Sequence, residues 1–294
     1  MLNLFLQSVR SIIDLPLRIR NKSIRILKRI KPFSDSDCQS DSENTFYLGE
    51  VIKINSSDRK FRKFRRIYNY REILEHVSPK FGKLYLDILK KDHESSLTYF
   101  KEILYLDKVG KPYRYFYKEL GLVSPTSIRY AYVAQVLSYY FPKQITGKIA
   151  EIGVGFGGQA ALLLRTNDIA KYTMFDLPEV LNLVVRYLAE LDLHQKIDIS
   201  DVNVLRDESW DLVISNYAFS ELPRNLQIDY IKKVLIKSKS GFMIMNSGRT
   251  DLTGRSSGKM TVNEIISYIP SATVLDENPK TSKDNYIIIW GSTK

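Results

Sequence analysis

Apolar positions change their period along this chain. In the C-terminal half, short continuous apolar runs alternate with segments whose apolar residues recur every three or four positions. Residues 148–152, 172–176, 210–217, 241–246 and 284–290 are such runs, rich in β-branched and aromatic side chains, and they predict buried strands. Between them, Val180, Val184, Tyr187, Leu188 and Leu191 fall at helical spacing behind Pro178, which suits a first helical turn. Strands alternating with helices over residues 146–294 predict one doubly wound α/β domain. Upstream, residues 59–145 read as a helical region. Ser124-Pro125 is a strong helix start there, followed by Ile128, Tyr132, Val136 and Tyr140 at four-residue spacing. Residues 1–58 hold a basic amphipathic segment and, from Pro32 to Asn44, a polar low-complexity linker that reads as disordered.

The chemistry concentrates where the first strand of the α/β domain meets its helix. Glu151-Ile152-Gly153-Val154-Gly155-Phe156-Gly157-Gly158 puts closely spaced glycines at a strand end, and the next strand closes on Asp176. Glycines let the backbone turn tightly and approach a ligand, and an acid at the end of the next strand suits a ribose diol. Two nucleoside cofactors fit. Gly153-x-Gly155-x-x-Gly158 matches the dinucleotide fingerprint, while Glu151, Gly153, Gly155 and Gly157 match the S-adenosylmethionine loop. Glu151 discriminates between them. A carboxylate at the end of an apolar strand suits a ligand bearing an ammonium and a sulfonium, and is out of place beside a pyrophosphate. Asp201, expected at the end of the third strand, is a candidate for the adenine side or for a loop cap. Ser215 and Asn216, at the end of the fourth, are expected to line the methyl-transfer face.

With Gly121-Leu122-Val123-Ser124-Pro125-Thr126-Ser127-Ile128-Arg129-Tyr130, Phe175-Asp176-Leu177-Pro178 and Ser215-Asn216-Tyr217-Ala218-Phe219-Ser220-Glu221-Leu222, the glycine loop forms a combination that resembles one family. It is similar to the sugar O-methyltransferases encoded among bacterial surface-polysaccharide genes, a branch of the class I S-adenosylmethionine-dependent methyltransferases. The resemblance implies a Rossmann-like, seven-stranded methyltransferase sheet and methyl transfer to a sugar hydroxyl. It also implies a helical cap in which Arg129, Tyr130 and Tyr217 help to enclose the acceptor. Related plant enzymes carry a histidine base after the fourth strand; the segment 217–221 has none, which leaves Glu221 as the nearest candidate base and His194 as the next. Glu221 is equally suited to capping or salt-bridging the helix that follows. The stretch Ser215-Asn216-Tyr217-Ala218 lacks the paired prolines of amino-group methyltransferases, which favours oxygen as acceptor. An RNA or lipid-linked acceptor, and a non-catalytic cofactor binder, are the alternatives.

Composition narrows the setting. The chain has 294 residues, 44% hydrophobic, enough for one large core with a smaller helical region. A single cysteine, Cys38, excludes an intramolecular disulfide and suits a reducing compartment. The expected address is the bacterial cytoplasm, with peripheral contact at the inner face of the membrane. The net charge of +11 is uneven: eight basic residues lie between Arg10 and Lys31 against Asp14 alone, interleaved with isoleucines and leucines. Such a segment can lie on anionic lipid, and the run Arg59-Lys60-Phe61-Arg62-Lys63-Phe64-Arg65-Arg66 repeats the theme. Solvated helix faces explain both equally well, and nucleic acid is the least expected partner. No metal is expected, since His76, His93 and His194 lie far apart without ligand spacing. Tyr139 and Lys143 mimic a dehydrogenase pair, but Pro142 between them would break the helix that must present both.

Overall fold

The computed structural model describes residues 45–91, 93–205, 208–247 and 258–294. All described residues belong to one compact unit, Gln39–Lys294. The basic segment before Lys31, the linker and Cys38 lie outside the described residues.

Among the described residues, five α-helices come first: α1 (Thr45–Asn55), α2 (Asp58–Phe61), α3 (Tyr68–Leu74), α4 (Pro79–Leu89) and α5 (His93–Leu106). A two-stranded antiparallel ribbon, β1 (Tyr115–Tyr117) with β2 (Gly121–Val123), leads into α6 (Pro125–Tyr140). The start of α6 forms as the Ser-Pro signal predicts: Ser124 accepts the Thr126 N–H at 3.2 Å, and Pro125 takes the first turn. Every residue from Pro125 to Ala134 is buried, so α6 is a central element and not a surface cap.

The α/β part follows in the predicted alternation. It runs β3 (Lys148–Ile152), α7 (Gly158–Thr166), β4 (Lys171–Asp176), α8 (Pro178–Ala189), β5 (Ile197–Asp201), β6 (Trp210–Asn216), α9 (Ala218–Glu221), α10 (Arg224–Tyr230), β7 (Ser238–Met245), α11 (Val262–Tyr268), β8 (Thr273–Asp276) and β9 (Tyr286–Trp290). Seven strands make one sheet in the order β5-β4-β3-β6-β7-β9-β8. Strands β5 to β7 of that order are parallel, and β9 is antiparallel to both neighbours. This is the Rossmann-like, seven-stranded sheet expected from the sequence. The order reverses at β3, with β4 on one side and β6 on the other, and open α/β sheets hold their ligand crevice at the carboxyl ends of such strands.

The helical region begins earlier than the boundary at 58 set by composition. Tyr47, Val51 and Ile54 of α1 are buried. Asn55 Nδ2 donates to the Glu179 carbonyl at 2.8 Å, Arg186 donates to the Asn55 carbonyl at 3.3 Å, and Arg186 also pairs with Asp58. The basic run after it is split between core and surface. Phe61, Phe64 and Arg65 turn inward while Arg59, Arg62, Lys63 and Arg66 remain exposed, so both aromatics of that run pack the interior. Arg65, fully buried, pairs with Glu75 and, at 3.2 Å, with Asp107. It donates to the Leu106 carbonyl (3.2 Å) and Ser127 Oγ (3.1 Å), and its guanidinium lies 4.7 Å from the Phe156 ring. Phe156 belongs to the glycine loop, so this cluster fixes the helical region to that loop.

Candidate functional site

The glycine loop leaves β3 at the crevice. Gly153, Gly155 and Gly157 have φ of +74°, +58° and +85°, the left-handed region that glycine alone enters without strain. Gly153 is doubly constrained, because a Cβ there would lie 2.0 Å from the Ala218 Cβ at the start of α9. The loop thus folds under the end of β6 and brings the ends of β3 and β6 together. Leu74 of α3 covers Gly155, whose absent Cβ would sit 3.1 Å from its side chain.

Two carboxyls stand at the roots of this loop. Glu151 is 1% exposed; Tyr172 donates its phenol hydrogen to it at 2.8 Å. Burial pushes its pKa up to about 8, against the pull of the Tyr172 and Asn216 side chains, which favour the charged form. Asp176 accepts the Gly155 N–H at 3.2 Å and the Leu177 N–H at 2.8 Å. Burial lifts its pKa to about 7, and those amides oppose the rise. Two carboxyls held on the edge of ionisation beside a glycine loop are suited to a cationic, hydroxyl-bearing ligand.

The other candidate residues divide. Asn216 joins the loop: its side chain reaches Glu151, and its Oδ1 is buried without a hydrogen-bond partner among the described residues. Ser215 does not line the crevice. It is fully buried, and its Oγ donates to the Ile152 carbonyl (3.0 Å) and accepts the Phe219 N–H (3.0 Å), pinning β6 to β3 and α9. Asp201 ends β5 directly opposite Asp176 in register, with its Oδ1 accepting the Asn203 N–H at 2.8 Å, so the loop-capping role is realised beside the crevice. Tyr130 packs edge-on against Phe156 with ring centroids 5.8 Å apart, and its edge fills the space over Gly158.

Arg129 and Tyr217 come together at the end of β6, with the guanidinium carbon 5.0 Å from the Tyr217 ring. Tyr217 has φ +72°, a strained value for a side-chain-bearing residue, and its hydroxyl donates to Glu277. Glu277 is itself fixed by the Thr281 N–H (2.8 Å), the Thr281 hydroxyl (2.6 Å) and Asn285 Nδ2 (3.0 Å). Glu221 lies one helical turn beyond, where Asn246 Nδ2 donates to it at 2.8 Å. His194 is exposed in the loop before β5. That loop is at the amino end of a parallel strand, so it sits across the sheet from the glycine loop and His194 leaves the candidate set.

Sequence reasoning missed two contributors. Tyr47 of α1 is buried close enough to Asp176 for that carboxyl to raise its phenol pKa further, after burial itself. The spacing Tyr47, Val51, Ile54 is a helical signal that the surrounding charge obscured. Glu277 carries no local signal, because only the fold brings the loop after β8 to the end of β6. Among the described residues, no helix is long and apolar enough to cross a membrane, and no three His, Cys, Asp or Glu side chains form a metal-holding group.

No family model matches the sequence, and no curated protein matches it. Among solved structures, the chain is similar to the methyltransferase domain of bacterial CtHen1, at 14% identity over 55% of this chain and 96% of that one, with a TM-score of 0.42. It is also similar to PigF with SAH, at 12% identity over 54% and 59% with a TM-score of 0.40. An O-methyltransferase family 2 protein from Planctomyces limnophilus in complex with apigenin is similar at 15% identity over 54% of each chain, with a TM-score of 0.40.

Proposed function

We propose that this protein is an S-adenosylmethionine-dependent O-methyltransferase that acts on a sugar hydroxyl in bacterial surface-polysaccharide biosynthesis. The observation that carries the reading is Glu151, a carboxyl buried at the foot of a glycine loop, at the point where the strand order reverses. Such a group is costly to keep there unless a cation uses it. The residues present suit the cofactor. Glu151 would hold the ammonium, Asp176 the ribose hydroxyls, and the unpartnered Asn216 Oδ1 offers a further acceptor at the same place. When bound, the sulfonium supplies an electrophilic methyl carbon.

The chain's own task is then to place a hydroxyl and accept its proton. Positioning supplies much of such a rate enhancement, and Tyr217, Tyr130 and Arg129 wall the space beside β6. Tyr217 donates to Glu277, so its oxygen keeps lone pairs for an acceptor O–H. A proton passed to Tyr217 as its own moves to Glu277 leaves the phenol neutral, in keeping with burial raising its pKa. Glu221, held by Asn246, is the second carboxylate on this side. Glu277→Gln should lower turnover by about 100-fold or more with unchanged cofactor affinity, and Glu221→Gln by less than about threefold. The reverse result would return the base to Glu221.

The cofactor itself is tested by calorimetry. S-adenosylhomocysteine should bind saturably and NAD should not, and Asp176→Ala should weaken the former by roughly 1.5–3 kcal/mol per lost charge-assisted hydrogen bond. Saturable NAD binding would overturn the reading.

A further inference from the structure

Among the described residues the fold buries two arginines, Arg65 and Arg129, and treats them differently. Arg65 is surrounded by two carboxylates, a carbonyl and two serine hydroxyls. Arg129, 7% exposed, has no ion pair and no hydrogen bond among the described residues, and its Nε is buried without a partner. Its neighbours are ring faces: Tyr217 at 5.0 Å and Tyr130 at 5.9 Å. The two acids nearest in the field are engaged elsewhere, Glu277 with Tyr217, Thr281 and Asn285, and Glu151 with Tyr172. A buried guanidinium without a counter-ion costs stability, and its five donors form a planar fork shaped for an oxyanion.

We propose that Arg129 is the receptor for a carboxylate on the acceptor, so that the substrate of this site is an acidic sugar such as a uronate. This rests on the methyl-transfer reading given above. Charge matching favours a carboxylate over a phosphate. Arg129 is a single cation set among phenols and near two acids, which suits a singly charged planar group and would repel a dianion. Position favours the acceptor over the cofactor. Arg129 faces Tyr217, the residue after β6 whose hydroxyl is placed to take the acceptor's proton. Tyr85, Tyr130 and Tyr217 around it add apolar faces and hydroxyls that suit a pyranose ring.

The test uses the full chain, a labelled methyl donor, and surface glycan from a host strain lacking the gene. The glycan is supplied either native or after its uronates have been reduced to neutral sugars. Wild-type protein should methylate the reduced glycan about 100-fold or more slowly than the native one, as a site built around a polar group rejects its absence. Arg129→Gln should be equally slow on both, and Arg129→Lys, which keeps the charge and guards against a folding artefact, should restore part of the preference. Equal wild-type rates on the two glycans would overturn the proposal. So would an Arg129→Gln protein that loses affinity for S-adenosylhomocysteine but binds 5′-methylthioadenosine normally, because Arg129 would then serve the cofactor's own carboxylate. If the wild type binds S-adenosylhomocysteine but methylates neither glycan, the sugar reading fails and takes this proposal with it.

Discussion

With Glu151 in the proposed role of holding the cofactor ammonium, binding should release a proton, and the size of the effect follows from its burial. In the free protein its pKa is about 8, so at pH 7 roughly ten molecules carry it neutral for each one charged. A bound ammonium requires the carboxylate, and ionising Glu151 at pH 7 costs about 1.4 kcal/mol of the binding energy. Affinity for S-adenosylhomocysteine should therefore rise about tenfold per pH unit between pH 6 and 8 and then level off. Calorimetry at pH 7 in phosphate and in Tris should show enthalpies that differ by about 0.9 of a proton times the difference in buffer ionisation enthalpy, taking Glu151 alone. Asp176, at about 7, adds a smaller release that Asp176→Asn removes. Glu151→Gln should bind more weakly at pH 8 and lose most of the pH dependence. The same shifts set stability. Both carboxyls titrate higher in the folded protein than their ordinary values near 4, so the folded state binds more protons there. Its stability is greatest below about pH 4 on their account and falls as pH rises towards about 8. An affinity that is flat from pH 6 to 8, with equal enthalpies in both buffers, would refute this reasoning.

Two further outcomes test other parts of the account. Arg65→Met strands Glu75 and Asp107 in the core and should cost roughly 3–5 kcal/mol in denaturant unfolding; a loss below about 1 kcal/mol would show the cluster to be dispensable. Removing residues 1–44 should leave S-adenosylhomocysteine affinity unchanged and reduce co-sedimentation with anionic liposomes, whereas equal sedimentation would remove the proposed membrane contact.

Much of the α/β part was legible because its signals are local. Strand runs, the glycine loop and the carboxylates at strand ends each lie within a few residues, and sheet topology then carries them to one edge. Glu151, Asp176 and Asn216 are brought together there in that way. Ser215 was misread because a strand-end position does not reveal which way a hydroxyl turns, and here it turns inward to backbone partners. His194 failed for a similar reason: proximity in sequence to Asp176 spans a whole helix, and the chain has by then returned to the opposite edge of the sheet. Tyr47 and Glu277 reach the crevice only through tertiary packing, one from a helix masked by neighbouring charge and one from a loop between edge strands. The basic run at 59–66 shows the limit of composition, since Phe61, Phe64 and Arg65 face the core.

The central claim is methyl transfer to a sugar oxygen, and the most direct measurement is mass spectrometry of surface glycans from the host with and without the gene. The account predicts that one O-methyl group on one sugar residue disappears with the gene. It should return with the wild-type protein but not with Glu277→Gln, which still binds S-adenosylhomocysteine. Identical glycan spectra from the two strains, with a methyl group missing instead from RNA, would contradict it.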